Sequence, residues 1–422
     1  MHRRATLALC YALLFVPLAI LPWNIYPFAT GKAVALRLLG AAGLILWALR
    51  PTIPRHPIAL GALLVLVAGF LSMLVAPQPD LAFWSSPPRQ EGLANGFAFA
   101  ILFLVLTQAE MDWRRYIATA VGVASFIAVV GIAYHLWYIS TQVTPPPKVH
   151  SLAGNSAYLG LYLAMTILMT IWLWIGARYR DLDLMVYPWP MPMISARPWL
   201  SAALVAQVWC LTLTRNRGAV LALGVGLLVW FVLSRRLEIA RMDRWKHVRV
   251  AFRLRYTLMA LAALCLLAIF TLPWNNATLD YRLELWEIAV RLALQRPILG
   301  YGGDGFFQGF IGLVSPNSVL VDLPFDRAHN FVLDRLVAGG AVGLTAYLYL
   351  LWAMFRTGVD PMPKAILACL VTGNLFLFDV METSILFWVL AAYLVRRDVA
   401  QDAVVVPDGQ PALDRGVRAG RA

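Results

Sequence analysis

Asp326-Arg327-Ala328-His329-Asn330 stands directly before an apolar run, residues 331–355, that is long enough as a helix to cross the ~30 Å hydrocarbon core of a bilayer. The pentapeptide closes the longest loop that the charge pattern puts on the non-cytoplasmic side. A histidine at that water-membrane boundary, one of 6 in the chain, is the first place to look for chemistry at a membrane face.

Outward from this run the same pattern repeats. Of 422 residues, 61% are hydrophobic and 14% charged, and the apolar residues fall in blocks of about 15 to 25, the length of a membrane-spanning helix. Hydropathy predicts spans at 6–20, 33–49, 58–76, 92–106, 116–138, 157–177, 199–213, 218–233, 256–272, 331–355, 364–380 and 384–395. The fold class expected is therefore all-α, a polytopic membrane protein of about twelve transmembrane helices. The net charge of +13 reflects orientation rather than nucleic-acid binding, because the basic residues gather in alternate loops. Arg50, Arg55, Arg114, Arg115, Arg178, Arg180, Arg356, Lys364 and the basic stretch 234–255 all fall on the side of the N-terminus. The positive-inside rule then places both termini in the cytoplasm. The basic start Met1-His2-Arg3-Arg4 reads as leading into an uncleaved first span. Residues 1–397 read as one transmembrane unit with a non-cytoplasmic loop over 273–329, and 398–422 as a disordered cytoplasmic tail. Cys10, Cys210, Cys265 and Cys369 sit singly in separate apolar runs, so neither a disulfide framework nor a zinc site is indicated.

Basic residues avoid outer loops, so arginines kept there ask for an anionic partner: Arg89, Arg215, Arg217, Arg282, Arg291, Arg296 and Arg327. Arg215 and Arg217 occupy a short connection between two apolar helices, which holds both guanidinium groups at the membrane rim; lipid phosphates are the simpler partner there. Residues 279–296 predict a helix stopped by Pro297, with Asp280, Glu284, Glu287 and Arg291 on one wet stripe. Arg282 projects the other way, in line with Trp286, Ala289 and Ala293. A charge on that apolar side costs several kcal/mol unless paired. Residues 300–305, glycine-rich, predict a tight turn able to bring backbone amides close to an anion.

Taken together, Thr214-Arg215-Asn216-Arg217-Gly218-Ala219, Arg282 with Trp286 and Ala289, Arg296-Pro297-Ile298-Leu299-Gly300-Tyr301-Gly302 with Phe306, and Ala328-His329-Asn330 with Gly340 and Gly343 resemble the bacterial O-antigen ligase and polymerase superfamily. Phe83-Trp84-Ser85-Ser86 with Arg89 and Gly92, and Gly154-Asn155, look like motifs of one branch. The resemblance implies a GT-C-type membrane glycosyltransferase with a periplasmic helical loop. It implies a donor glycan on undecaprenyl diphosphate and an active site at the periplasmic face of the bacterial inner membrane. The implied acceptor is lipid A-core for a ligase, another lipid-linked repeat unit for a polymerase, or a protein. By motif match Arg217, Arg282 and His329 take the catalytic positions. Arg215, Arg89, Arg327, Asp326, Asn330 and Trp286 are the accompanying substrate-binding candidates. Asn216 departs from the hydroxyl residue usual before the Arg-Gly pair, and the extra Arg215 leaves open which guanidinium does the work.

The chemistry accounts for that set. A sugar leaving a lipid diphosphate departs as a weakly basic anion, which needs forked arginines more than a proton donor. His329, with an ordinary pKa near ~6.5, can take the proton of the attacking hydroxyl. Attack opposite the diphosphate inverts the anomeric centre, and the reading requires no metal and no cofactor. Asp326 is expected either to orient the imidazole or to cap the following helix. Membrane lipids are further partners. The competing class is a small-anion transporter, which would hold its charged or broken-helix features near mid-bilayer, whereas the ionisable residues here lie mostly at the ends of the spans.

Overall fold

A computed structural model of the chain describes residues 2–141, 148–178, 196–239, 256, 259–260, 263, 276–314, 320, 325–358 and 360–405. These residues fold into a helical bundle: α1 (His2–Phe15), α2 (Pro27–Ala48), α3 (Pro57–Leu74), α4 (Pro79–Trp84), α5 (Leu93–Gln108), α6 (Trp113–Thr141), α7 (Ser156–Arg178), α8 (Ala196–Leu213), α9 (Arg217–Ile239), α10 (Asn276–Gln295), α11 (Phe306–Leu313), α12 (Phe331–Arg356), α13 (Pro361–Asn374) and α14 (Met381–Val405). Proline opens α2, α3, α4 and α13, where its missing N–H costs nothing and its fixed φ suits a first helical residue.

Six of these helices, α2, α3, α6, α7, α9 and α12, contain stretches long and apolar enough to cross a membrane. The chain is a multi-pass membrane protein. α7 runs through the centre, buried from Leu159 to Ile175 except for Trp174. The peripheral α3 leaves Leu60, Leu63, Leu64, Val67, Leu71 and Leu74 exposed on the flank opposite its packing surface. Such a helix, apolar all round, is at home in lipid and not in water.

The bundle has two chemically distinct ends. At one, Arg3 pairs with Glu110 at 3.2 Å, His56 with Asp398 at 3.2 Å, and Asp360 with Arg397. Loops that the charge pattern assigns to the side of the N-terminus thus share an end. The other end, called here the site end, gathers the loops before α5, α7, α9, α12 and α14, with α10 and α11 over them.

Two irregularities shape the site end. The first is a break in α12 at Gly340, where φ is 60° and ψ −162°. The segment after α10 is stitched into this break: the Tyr301 and Gly302 amides donate to the Val337 and Ala338 carbonyls at 2.8 and 2.9 Å. In return Ala341 and Val342 donate to Pro297 and Ile298 at 2.8 and 3.2 Å. Ser72 of α3 adds a bond to the Ala338 carbonyl at 2.6 Å. A β-carbon on Gly340 would lie 2.3 Å from the Ile298 carbonyl, and one on Gly300 2.4 Å from the Val337 oxygen. Only glycine allows both the left-handed backbone and this approach. The 300–305 turn is therefore a docking element for a broken helix.

The second irregularity corrects a predicted span. Residues 364–380 were expected as one helix, but α13 ends at Asn374 and 375–380 is not helical. At 1.5 Å per residue its 14 residues reach only about 21 Å. The turn that follows, carrying Phe376, Phe378 and Asp379, hence stops short of a full crossing. Irregular backbone at such depth survives only where protein or a wet cavity surrounds it. Elsewhere α14 continues to Val405, past the boundary expected at 397, and 406–422 lie outside the described residues. The expected span 256–272 also falls almost wholly outside them.

Candidate functional site

The loops of the site end carry all the non-glycine residues with positive φ among the described residues: Ser85, Gln90, Ser151, Arg215, Asp304 and His329. Each such conformation costs on the order of 1–3 kcal/mol and persists only where neighbours hold it. At His329 those neighbours are explicit.

Phe378 is the hub. Its buried ring meets His329 edge-on, with centroids 5.3 Å apart and planes at 80°. The Arg89 guanidinium lies 4.6 Å from the same ring, Arg327 5.9 Å, and Tyr158 packs against it at 5.7 Å. Phe325 closes the other side of the imidazole at 5.8 Å. The apolar turn 375–380 thus forms the floor under the pentapeptide that opens α12.

That pentapeptide is held residue by residue. Arg89 grips both carboxylate oxygens of Asp326 and donates to the Tyr158 hydroxyl. Arg327 pairs with Asp304, which also accepts from the Ser85 hydroxyl and, at 2.6 Å, from the Ser86 amide. Burial alone would raise the Asp304 carboxyl, but Arg327 and these donors outweigh it and hold it below its ordinary value. Burial likewise opposes the charges of Arg89 and Arg327, and their acids restore them. Trp286 donates to the Ala328 carbonyl at 3.0 Å, and Asp334 accepts from the Ala328 amide at 2.7 Å. Asn330 is the cap of α12, accepting from Val332 and Leu333 at 3.0 and 3.3 Å. Asp326 therefore does not cap the helix; its carboxylate belongs to Arg89.

His329 Nδ1 lies 3.2 Å from the Arg327 carbonyl. A carbonyl can only accept, so Nδ1 carries the proton and the neutral ring keeps its lone pair on Nε2. Burial first, then Arg282 and Arg89, push the imidazole down to about 4, against the Arg327 carbonyl and Asp326. The ring is neutral at pH 7. Its sensitivity to Arg282 places that guanidinium within electrostatic reach.

α10 has the faces expected of it: Ala289 and Ala293 are buried with Leu285, Ile288 and Leu292 in a small core completed by Phe306 and Phe310. Glu287 and Arg291 pair on the exposed side at 2.5 Å. Arg282 is half-buried, and its Nε has no hydrogen-bond partner among the described residues. Arg296 spans to the Val75 carbonyl at 2.8 Å and lies over Tyr301, a tie between α3 and the loop. Arg215 is exposed, whereas Arg217 begins α9, whose first turn Asn216 caps by accepting from Ala219 at 3.2 Å. A β-carbon on Gly218 would touch Phe376 at 3.6 Å, so this start abuts the same 375–380 turn.

Sequence reading missed several residues. Tyr158 and Phe378 lie inside apolar blocks and carry no signal of their own. Asp334-Arg335 and Asp379 do carry one, being charges inside predicted spans, and the structure uses them. Asp379 accepts from Arg335, from Asn374 at 2.8 Å and from Tyr347 at 3.4 Å. Glu91 is the remaining one. Burial, reinforced by Asp304 and Glu382 and opposed by Arg327 and Arg89, pushes it up to about 8. Glu91, Arg327, Asp334, Arg335, Phe378 and Asp379 all line one cavity of about 240 Å³ between α3, α5, α12 and α14. Among the described residues no cluster of His, Cys, Asp and Glu is suited to hold a metal ion.

The site end thus holds a neutral, half-buried histidine with Arg282 and Arg89 within electrostatic reach, at one end of an apolar helical bundle of a membrane protein. Residues 202–348 match the family described as O-antigen ligase, so the chain carries a domain of the O-antigen ligase and polymerase superfamily. The matched segment holds Arg215, Arg217, Arg282 and His329; Arg89, Tyr158 and Phe378 lie outside it. No curated protein matches the chain.

Proposed function

We propose that the chain is a GT-C-type glycan transferase of the bacterial inner membrane, with about twelve spans and both termini cytoplasmic. It moves a glycan from undecaprenyl diphosphate to an acceptor hydroxyl at the periplasmic face, and acts as an O-antigen ligase with lipid A-core as acceptor. The observation that carries this reading is a neutral His329 within electrostatic reach of Arg282, whose Nε is buried without a hydrogen-bond partner among the described residues, in a domain of the O-antigen ligase type.

In the reaction the acceptor oxygen attacks the anomeric carbon as its proton passes to His329 Nε2. The bond from that carbon to the diphosphate oxygen breaks on the opposite face, which inverts the centre. Arg282 and Arg217 take the charge that develops on the leaving diphosphate, through charge-assisted hydrogen bonds of roughly 1.5–3 kcal/mol each. Arg89 and Arg327, already matched by Asp326 and Asp304, contribute chiefly by holding His329 in its left-handed conformation. The arriving diphosphate raises the proton affinity of an imidazole that burial and the arginines depress.

A gel of surface polysaccharide from a deletion strain tests the assignment. Free lipid A-core with polymer accumulated on the carrier lipid is the expected result. Single repeat units would make the chain a polymerase, and unchanged lipopolysaccharide with lost protein glycosylation would make the acceptor a protein.

A further inference from the structure

The cavity beneath the catalytic loop shares Arg327 and Phe378 with the site but differs from it in chemistry. Of its acids, Asp379 is neutralised by Arg335. Of its bases, Arg327 is taken by Asp304. Glu91 and Asp334 are left without an ion-pair partner among the described residues, and Asp334 Oδ2 is buried with no hydrogen-bond partner there. Two such carboxyls offer a diphosphate nothing to bind. They want a ligand that donates hydrogen bonds.

The remaining walls limit what that ligand is. Phe99, Trp388 and Phe378 line it with aromatic carbon, together with Gly69, Gly96, Gly339 and Gly343. A β-carbon on Gly339 would meet nothing within 4 Å. This glycine sits beside the break in α12, where helix ends line ligand sites in other membrane proteins. The volume is below the ~300–1,000 Å³ usual for drug-sized ligands, so it fits a single ring. Hydroxyl donors around a rim and C–H surface on both faces describe a sugar.

We propose that this cavity binds one neutral sugar ring, belonging to either the donor glycan or the acceptor, as a subsite of the transferase. The assignment rests on the transferase reading. Glu91, which burial pushes up to about 8 and so keeps mostly protonated at neutral pH, both donates to and accepts from such a ring.

The test uses the full chain in nanodiscs free of glycolipid and of maltoside detergent. Saturation-transfer NMR is recorded with methyl glycosides of glucose, galactose and N-acetylglucosamine, and with glucosamine as a cationic probe. At least one neutral glycoside should receive transfer, and its dissociation constant should rise at least ~10-fold in Gly339→Leu and in Asp334→Asn, as loss of one strong hydrogen bond implies. Gly312→Leu, whose β-carbon also meets nothing within 4 Å, should match wild type. Binding of undecaprenyl diphosphate to Gly339→Leu shows that the variant is folded. The same ring carried on farnesyl diphosphate and on an octyl chain separates the sources: tighter binding of the first marks a donor ring, of the second an acceptor ring. No transfer to any neutral glycoside, transfer undiminished by Gly339→Leu, or binding of glucosamine alone would overturn the proposal. If glycosides bind through Gly339 and undecaprenyl diphosphate does not bind wild type, the transferase reading fails and the cavity stands.

Discussion

Arg89, on the segment before α5, holds both carboxylate oxygens of Asp326, a residue 237 positions further on and three before His329. The loop that carries the proposed base is therefore anchored by a part of the chain outside the segment that matches the O-antigen ligase family.

A double-mutant cycle on Arg89→Gln and Asp326→Asn checks this. Each single change strands a partly buried charge and should lower both activity and stability, while the double variant should be no worse than either single, a coupling of about 0.5–3 kcal/mol. Additive losses in thermal unfolding and turnover would show that the pair does not act as one unit.

Arg282 and Arg291 sit on opposite sides of α10 and should answer differently to the same change. Arg282→Lys keeps the charge but loses the fork, so activity should fall at least ~10-fold. Arg291→Lys, exposed and paired with Glu287, should be nearly silent. Equal tolerance in a turnover assay would refute the helical-face argument. The same exchange at Arg215 and Arg217 should single out Arg217, the half-buried one.

His329→Ala should retain the lipid-linked donor while turnover drops by ~10² to 10⁴, the usual contribution of a general base. Because Asn330 already caps α12, His329→Asn should not restore activity. A fully active His329→Asn enzyme would move the base elsewhere.

The pH dependence follows from the depressed imidazole. A base works in its deprotonated form, and His329 is deprotonated above about 4. kcat/KM, which reports the free enzyme, should therefore be flat from about pH 6 to 8 and fall only in more acid solution. The acid limb of kcat should lie at higher pH, because bound diphosphate offsets Arg282 and Arg89. Coincident limbs near pH ~6.5 would mean an unperturbed, solvated imidazole.

Reporter fusions after Trp84 and Val149 should read periplasmic, and those after Arg114 and Arg397 cytoplasmic. A cytoplasmic signal after Trp84 would put Arg89 and the loop it anchors on the wrong side of the membrane for the proposed donor.

Hydropathy, charge placement and helical period are local properties, and they made the apolar helices, the shared ends of the basic loops and the two faces of α10 legible from the residues alone. His329 and Arg282 stood out for the same reason, as polar groups where the local pattern calls for apolar ones. Tertiary structure decided the rest. Asp326 read as a cap or an imidazole partner because its nearest neighbours in sequence were the only ones visible; folding gave it to Arg89. Gly300 read as part of a tight turn and Gly340 as a position within a span, and only their approach makes each necessary to the other. Phe378 was one more phenylalanine in an apolar block until the end of α13 turned it under His329. Asp334 and Arg335 are charges inside a predicted span, and the cavity they line exists only once four helices meet. A residue's burial and partner depend on distances closed by the whole chain, and no window along the sequence contains them.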